Sequence, residues 1–477
     1  MNTFLKEHTM EFIKENCGIA GVFRHKDASE ILYLSLFSLQ HRGQESAGIL
    51  LTDGSSVFFH RAQGLVSEIF TPEIIHSLKG NCGIGHVRYS TTGASNEKNI
   101  QPFSVEYKGK TLAIAHNGNL TNSRILRTKL EKQGSIFQTS MDSEIILHLL
   151  VRSKGSTIKE KLAHALRQLK GAFSILIFTE NEIIAARDAN GFRPLCIGKL
   201  DSSYVVASET CAFDLIGAQY FRDVEPGEMV IFSDNGIDSY QWAEKTKKAH
   251  CIFEFIYFAR PDSYIFTKSV YLTRKNLGVN LARECDFDGD LVMPVPDSGS
   301  IAALGFAQEK KIPIEFGVIR NHYVGRTFIQ PAQKIRDAGV RIKLNPVSAV
   351  VKGKDVIVVE DSIVRGTTCR NRINSLRTAG AKRIMLVISC PPIISPCYFG
   401  IDFPSTQELI ASTKSIKQIK DFLGLDGLHY LSYKGMLDAM LIPGENFCTG
   451  CFTGKYPVKP DTMFNKYQWE KSHGCDS

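Results

Sequence analysis

The chain has 477 residues, more than one hydrophobic core usually organises, so two large domains with a smaller appendage are the starting expectation. With 43% hydrophobic and 22% charged residues it has an ordinary globular make-up, and no apolar run approaches the ~20 residues that cross a bilayer, which argues against a membrane role. The net charge of +8 is spread along the chain without a basic block, so it suits anionic small molecules better than nucleic acid.

The first segment, Met1 to Asn16, mixes Lys6, Glu7, Glu11, Lys14 and Glu15 with a few apolar residues and lacks the continuous apolar stretch of a secretory signal. Twelve cysteines without an export signal point to reduced thiols in the cytoplasm, where clustered cysteines more often bind metal or do chemistry than form disulfides. From Cys17 to residue 240, short β-rich runs (Ile49 to Leu51, Thr111 to Ala115, Ser174 to Phe178, Tyr204 to Ala207) alternate with amphipathic stretches that predict helices at Ser29 to Leu39 and Ser143 to Val151. This is the pattern of a layered α/β domain.

Beyond Arg260-Pro261-Asp262 the pattern becomes strand, tight turn, helix. Leu291 to Val295 leads into Ser298 to Gln308, and Val356 to Val359 into Gly366 to Arg377, which predicts a parallel sheet over 260–395. The segment 396–477 follows Cys390-Pro391-Pro392 and is read as helical at Thr406 to Leu423 and Lys434 to Met440, with a Gly- and Lys-rich tail. There is no internal repeat and no low-complexity tract.

Cys17 opens a strand-like run, Gly18 to Phe23. Four later segments place polar residues at strand or helix ends, where catalytic groups favour standing: Gln40 to Gly48, Gly85 to Thr91, His116 to Leu120 and Ser140 to Glu144. With Cys17, and in this order, they resemble the glutaminase domain of the N-terminal-nucleophile amidotransferases, an αββα sandwich expected over 17–240. The resemblance implies that Cys17 is the nucleophile and that the Asn117 side chain and the Gly118 backbone N–H stabilise the tetrahedral intermediate. It further implies that Arg88 pairs with the glutamine α-carboxylate and Asp142 accepts from its α-ammonium. A thiol with a pKa of about 8.5 needs a base, and an α-amine at about 7.7–8 can serve. That amine exists on Cys17 only if the Asn16–Cys17 bond is cut, which makes 1–16 a propeptide.

The run Val356 to Thr368 puts two acids, Glu360 and Asp361, at the end of a buried parallel strand, and Ser362, Arg365, Gly366, Thr367 and Thr368 on the loop that opens a helix. Ligands of open α/β sheets bind at such strand ends, and loop N–H groups hold phosphate. Adjacent acids suit ribose hydroxyls or hydrated Mg²⁺. The run resembles the phosphoribosyl pyrophosphate motif of type I phosphoribosyltransferases. Glu360 stands where the amidotransferase members have Asp, and its role is expected to be kept with a shifted metal geometry. The loop Pro294 to Ser300, with Asp297, Ser298 and Gly299, resembles the pyrophosphate loop of that fold, and Ser298 joins Glu360 and Asp361 as an expected Mg²⁺ contact. Arg320 to Pro331, with Arg326 and onward to Arg341 and Lys343, resembles the loop that closes over substrate.

The two halves in this order resemble the family of glutamine phosphoribosylpyrophosphate amidotransferases. The likeness implies that ammonia released at Cys17 passes internally to phosphoribosyl pyrophosphate, giving 5-phosphoribosylamine, glutamate and pyrophosphate, the first step of purine synthesis. A homotetramer inhibited by purine nucleotides is implied as well. Cys448-Thr449-Gly450-Cys451 has the spacing of a metal-ligand pair. In the branch of the family with a four-iron four-sulfur (4Fe-4S) cluster, Cys251 and Cys397 match the other two ligands, and spacing alone leaves structural zinc open. Cys82, Cys196, Cys211, Cys285, Cys369, Cys390 and Cys475 are read as ordinary thiols. Two other readings are a glutaminase joined to a sugar-phosphate acceptor site, and a non-catalytic regulator that binds phosphoribosyl pyrophosphate. The Val356 to Thr368 run weighs against the first, and the set Cys17, Asn117 and Asp142 against the second.

Overall fold

The computed structural model describes residues 17–89, 97–320, 344–403 and 405–460. In its first half two antiparallel sheets stack face to face. One runs in the order Gln219–Asp223, Cys196–Leu200, Ser203–Ala207, Gly18–Phe23, Cys82–Arg88, Ser46–Thr52, Val57–Gln63. The other runs Gly236–Gln241, Glu228–Ser233, Ile183–Arg187, Gly171–Phe178, Lys110–Leu120, Phe103–Tyr107.

Alternation along each strand decides what fills which layer, because successive side chains leave opposite faces. In Gly18–Phe23, Ile19 and Phe23 point at the facing sheet, where they meet Ala115, Leu176 and Val230. Ala20 and Val22 point the other way, onto the helices Ala28–Ser38 and Cys211–Ile216. The second sheet does the same with Ile175 and Ile177, which pack under the helices Ser123–Lys132, Ser143–Arg152 and Ile158–Leu166. Leu176, wholly buried between the sheets, is worth about 1.5–3 kcal/mol of apolar burial. The result is the expected αββα sandwich, and Gly18–Phe23 is an inner strand of it.

In the second half a parallel sheet takes the order Leu291–Pro294, Asp355–Glu360, Arg383–Ile388, Gly427–Tyr430. Its middle strands are apolar almost throughout, as strands covered on both faces must be. The helices Ser300–Lys310 and Thr367–Thr378 follow the first two strands, so the connecting loops lie at the carboxyl end of the sheet.

Two expectations for the last segment change. Thr406 to Leu423 is not one helix: a 3-10 turn Thr406–Glu408 and a short helix Ile410–Thr413 precede a separate helix Ile416–Leu423. Ser415 causes the restart, because its hydroxyl accepts from the Gln418 N–H at 3.3 Å while its own N–H donates to Gln418 Oε1 at 2.8 Å. The strand Gly427–Tyr430 lies between the stretches read as helical and beyond the 260–395 span expected for the parallel sheet, and it completes the edge of that sheet. Finally, Phe447–Cys448 pairs in parallel with His250–Cys251, which ties the tail to the junction between the halves.

Candidate active site

Cys17 stands at the entry to the inner strand Gly18–Phe23, buried, with Sγ 3.7 Å from the Tyr89 carbonyl. Burial pushes its thiol pKa up, and the nearby Arg88 guanidinium opposes that only in part. A thiol in this setting does not ionise unaided at neutral pH. Arg88 ends the neighbouring strand Cys82–Arg88 and is buried too, its charge facing Cys17, Glu45 and Asp142. Asp142 precedes the helix Ser143–Arg152. One of its oxygens accepts from the Leu120 N–H at 2.8 Å, and the other lies 3.5 Å from His116 Nδ1. Burial alone would raise the Asp142 pKa, but His116 and these hydrogen bonds outweigh it and hold the carboxyl below its usual range.

Asn117 and Gly118 lie on Lys110–Leu120, the strand that carries His116 and Leu120. Gly118 has φ of +150°, and a Cβ there would come within 2.1 Å of the Ala172 carbonyl oxygen, so only glycine fits. The Asn117 side chain is fully buried, and among the described residues neither its Nδ2 nor its Oδ1 has a hydrogen-bond partner. A buried amide left this way costs about 1–3 kcal/mol for each unsatisfied group, so it calls for an explanation. His86 supports the arrangement from the next strand, its Nε2 3.1 Å from the His116 carbonyl. The structure thus brings the charges of Cys17, Arg88 and Asp142 together, and Asn117 and Gly118 lie on the strand between His116 and Leu120, which both contact Asp142.

Sequence reading missed a second layer under Cys17. Arg42 donates from Nε to the Cys17 carbonyl at 3.2 Å, pairs with Glu209, and grips Glu254 through two bonds of 3.0 and 2.8 Å. Glu254 also receives Arg193 at 3.0 Å, and Arg193 donates onward to the Phe399 carbonyl at 2.7 Å. Glu209 takes further bonds from His41 and Ser263. The side chains of Arg42, Arg193, Glu209 and Glu254 are completely buried. This chain of charges runs from the backbone of Cys17 to the segment that carries Cys397.

At the carboxyl end of the parallel sheet, Ser298 and Asp361 meet. The Ser298 hydroxyl donates to Asp361 Oδ1 at 2.5 Å, and Ser362 donates to the other oxygen. Burial, with Glu360 adding repulsion, pushes the Asp361 pKa up to about 6. Gly299 lets its loop lie against the central strand: a Cβ there would stand 2.6 Å from the Val359 carbonyl. Gly366, at φ +86°, turns the second loop into the helix Thr367–Thr378, whose first-turn N–H groups then face the strand ends. Asp297 is ion-paired with Arg320, and Arg365 with Glu408 at 2.7 Å. Glu360 accepts from Arg372 Nη1 on the following helix at 2.6 Å. Arg326, Arg341 and Lys343 lie outside the described residues.

The four cysteines named as ligands gather from three segments. Cys251 and Cys448 are register partners, Cys451 follows in the helix Gly450–Thr453, and Cys397 Sγ accepts from the Phe399 N–H at 3.3 Å. Burial pushes the Cys251 thiol up to about 11 and also raises Cys448 and Cys451; Cys397 adds to the rise at all three, Cys251 at Cys448 and Cys451, and Cys448 at Cys451. Such a donor set fits a metal that converts thiols to thiolates and balances their charge. Among the described residues no three His, Cys, Asp or Glu side chains stand close enough to share one ion. Tetrahedral zinc, with Zn–S of about 2.3 Å, needs sulfurs about 3.8 Å apart. In a four-iron cluster each cysteine binds its own iron, so wider spacing is suitable.

Comparison with known proteins agrees with this geometry. Residues 86–214 match the family described as a glutamine amidotransferase domain. The amidophosphoribosyltransferase of Bacillus subtilis is 49% identical over 456 residues, which span 94% of this chain and 95% of that protein. The chain belongs to the amidophosphoribosyltransferase family. Its reach is wide: the Methanothermobacter thermautotrophicus member is 43% identical over 467 residues, spanning 96% of this chain and 98% of that one. Among solved structures, the Bacillus subtilis glutamine phosphoribosylpyrophosphate amidotransferase complexed with ADP and GMP superposes with a TM-score of 0.90 at 48% identity, over 94% of this chain and 99% of that one.

Proposed function

We propose that the chain hydrolyses glutamine at Cys17 and delivers the ammonia to C1 of phosphoribosyl pyrophosphate, releasing pyrophosphate and forming 5-phosphoribosylamine, the opening step of purine synthesis. The observation that carries the first half is the Asn117 amide, fully buried and without a partner on either polar atom. It is a donor held ready for an oxyanion that exists only during reaction. Arg88 and Asp142 take the two charged ends of the amino acid, which brings the side-chain amide to Sγ. Cutting after Asn16 gives Cys17 an α-amine that accepts the thiol proton, as the upward-shifted thiol requires. Attack on the amide carbon forms a thioester and releases ammonia, and water then returns glutamate and the thiol.

In the second half, the loops at Asp297 to Gly299 and Asp361 to Thr368 hold the pyrophosphate and the 5-phosphate through hydroxyls and backbone N–H groups. Ser298 and Asp361 would hold a Mg²⁺ ion, which when bound neutralises pyrophosphate charge. Arg326 and Lys343 would close over the substrate. Cys251, Cys397, Cys448 and Cys451 would hold a four-iron four-sulfur cluster with a structural role, since neither reaction is a redox step; the likeness to the cluster-bearing branch of the family favours it over zinc. Because the Bacillus subtilis structure holds ADP and GMP, purine nucleotides are the inhibitors proposed here, acting on a homotetramer. No helix among the described residues is long and apolar enough to cross a membrane; the many thiols favour the cytoplasm.

The deciding assay measures glutamate and pyrophosphate release with both substrates present. No pyrophosphate from processed, metal-replete protein refutes the proposal. Intact mass tests the leader, because active protein that still begins at Met1 removes the α-amine from the mechanism.

A further inference from the structure

The two adjacent acids of the phosphoribosyl loop are treated in opposite ways. Asp361 is tied to Ser298 and Ser362, both on loops at the strand ends. Glu360, the last residue of the strand Asp355–Glu360, turns back. Its Oε1 accepts from Arg372 Nη1 at 2.6 Å, and its Oε2 is buried without a partner. The side chains of Glu360 and Arg372 are only 12% and 9% exposed. One carboxylate oxygen is therefore engaged and the other covered, and neither is open to a sugar or a metal.

Arg372 projects from the helix Thr367–Thr378 on the face that also buries Cys369, Ile373 and Leu376. The pair joins the end of the strand before the loop to the second turn of the helix after it. It brackets the segment Asp361 to Gly366, whose conformation decides where Asp361 and the first helical N–H groups stand. Reach explains the residue types: a carboxylate one methylene longer than aspartate extends to a guanidinium on the helix. A buried pair is weak evidence of stabilisation by itself, since desolvation cancels much of the attraction. Here the satisfaction is also incomplete, because Arg372 Nε and Glu360 Oε2 both lack partners. Packing alone would favour apolar residues at both positions.

We propose that Arg372 is a positioning residue of the phosphoribosyl site, which through Glu360 fixes the loop Asp361 to Gly366 and so sets where Asp361 and the first helical N–H groups stand. The proposal rests on reading Glu360 to Thr368 as that site.

A double-mutant cycle with Glu360→Gln and Arg372→Met tests it, read as KM for phosphoribosyl pyrophosphate. KM for glutamine, and hydrolysis of glutamine alone, verify that each variant is folded. Each single change leaves one buried partner unmatched and displaces the loop, so KM for phosphoribosyl pyrophosphate rises about tenfold while KM for glutamine stays within about twofold. The double variant breaks the same single contact and is no worse than either single change, about tenfold and not about a hundredfold. If Glu360 contacted the substrate or its metal directly and Arg372 did not position the loop, Arg372→Met would leave KM for phosphoribosyl pyrophosphate within about twofold while Glu360→Gln raised it, and that result overturns the proposal. Should Arg372→Met not accumulate as folded protein, Arg372→Lys takes its place. A rise in KM confined to phosphoribosyl pyrophosphate then supports the role, and an unchanged KM overturns it. Asp361→Asn reports on the site itself. Retained affinity for phosphoribosyl pyrophosphate there removes the site, whereas lost affinity with an additive cycle removes only the role of Arg372.

Discussion

Replacing Asn117 by Ala distinguishes an amide kept for chemistry from one kept for structure. The side chain is fully buried and makes no hydrogen bond, so its loss breaks no bond in the resting protein. Relief of an unsatisfied polar group is worth about 1–3 kcal/mol, and the cavity left behind costs an amount of the same order. The two nearly cancel. At about 2–4 °C per kcal/mol for a domain of this size, the midpoint of thermal unfolding moves by no more than about 4 °C. Loss of one oxyanion donor instead lowers kcat for glutamine hydrolysis about 10²–10³-fold, equivalent to about 2.7–4 kcal/mol. Glutamate release and scanning calorimetry on the same preparation measure both quantities. A kcat within about threefold of the parent refutes the reasoning, as does a fall of more than about 10 °C in the unfolding midpoint.

Cys17→Ser abolishes glutamine-dependent pyrophosphate release but leaves release driven by ammonium salts; loss of both would assign Cys17 to the fold. Arg42→Met removes the guanidinium that Glu209 and Glu254 share, leaving Glu254 with Arg193 and Glu209 with His41 and Ser263, and costs about 3–5 kcal/mol in chemical denaturation, and an unchanged transition midpoint contradicts that. Burial, aided by Arg88 and His116, pushes the His86 pKa down to about 3, so folding favours the neutral ring. Its contribution is whole above the unfolded value of about 6.5 and is lost as pH falls; at pH 5 the loss is about 1.5 units, or about 2 kcal/mol. His86→Asn therefore flattens the decline in stability between pH 7 and 5, and equal slopes rule this out. Cys451→Ser lowers bound iron and thermal stability together, and a variant with the parent's iron content and visible absorption excludes that residue as a ligand.

Where groups sit close in sequence, the sequence is a good guide to the site. Asn117 and Gly118 are neighbours on a strand, and Glu360 to Thr368 is a single strand, loop and helix start, so local pattern places them. The sandwich came from the resemblance carried by Cys17 and the four later segments, because a run such as Ser174 to Phe178, buried throughout, marks a strand without saying which sheet it joins. What could not be read depends on contacts between distant segments. Arg42 meets Glu254 across 212 residues, and nothing near either residue marks it as more than a surface charge. Glu360 shows the same limit at short range. Its place at the strand end was clear, but its direction is set by how one helix packs, which brings Arg372 within reach. The misread helix at Thr406 failed on turn chemistry: apolar periodicity continues through Ser415, yet that side chain caps a new helix.

The pairing of His250–Cys251 with Phe447–Cys448 also sets an order of assembly during synthesis. Every strand of the sandwich lies before residue 242, so that half can fold as the ribosome proceeds. Phe399, which receives Arg193, and the cysteines near the chain's end emerge tens of seconds later, at about 5–20 residues per second. Until then the charge chain beneath Cys17 is incomplete at its far end. In a nascent chain the backbone of Cys17 is therefore held by a charge chain that still lacks its last partner.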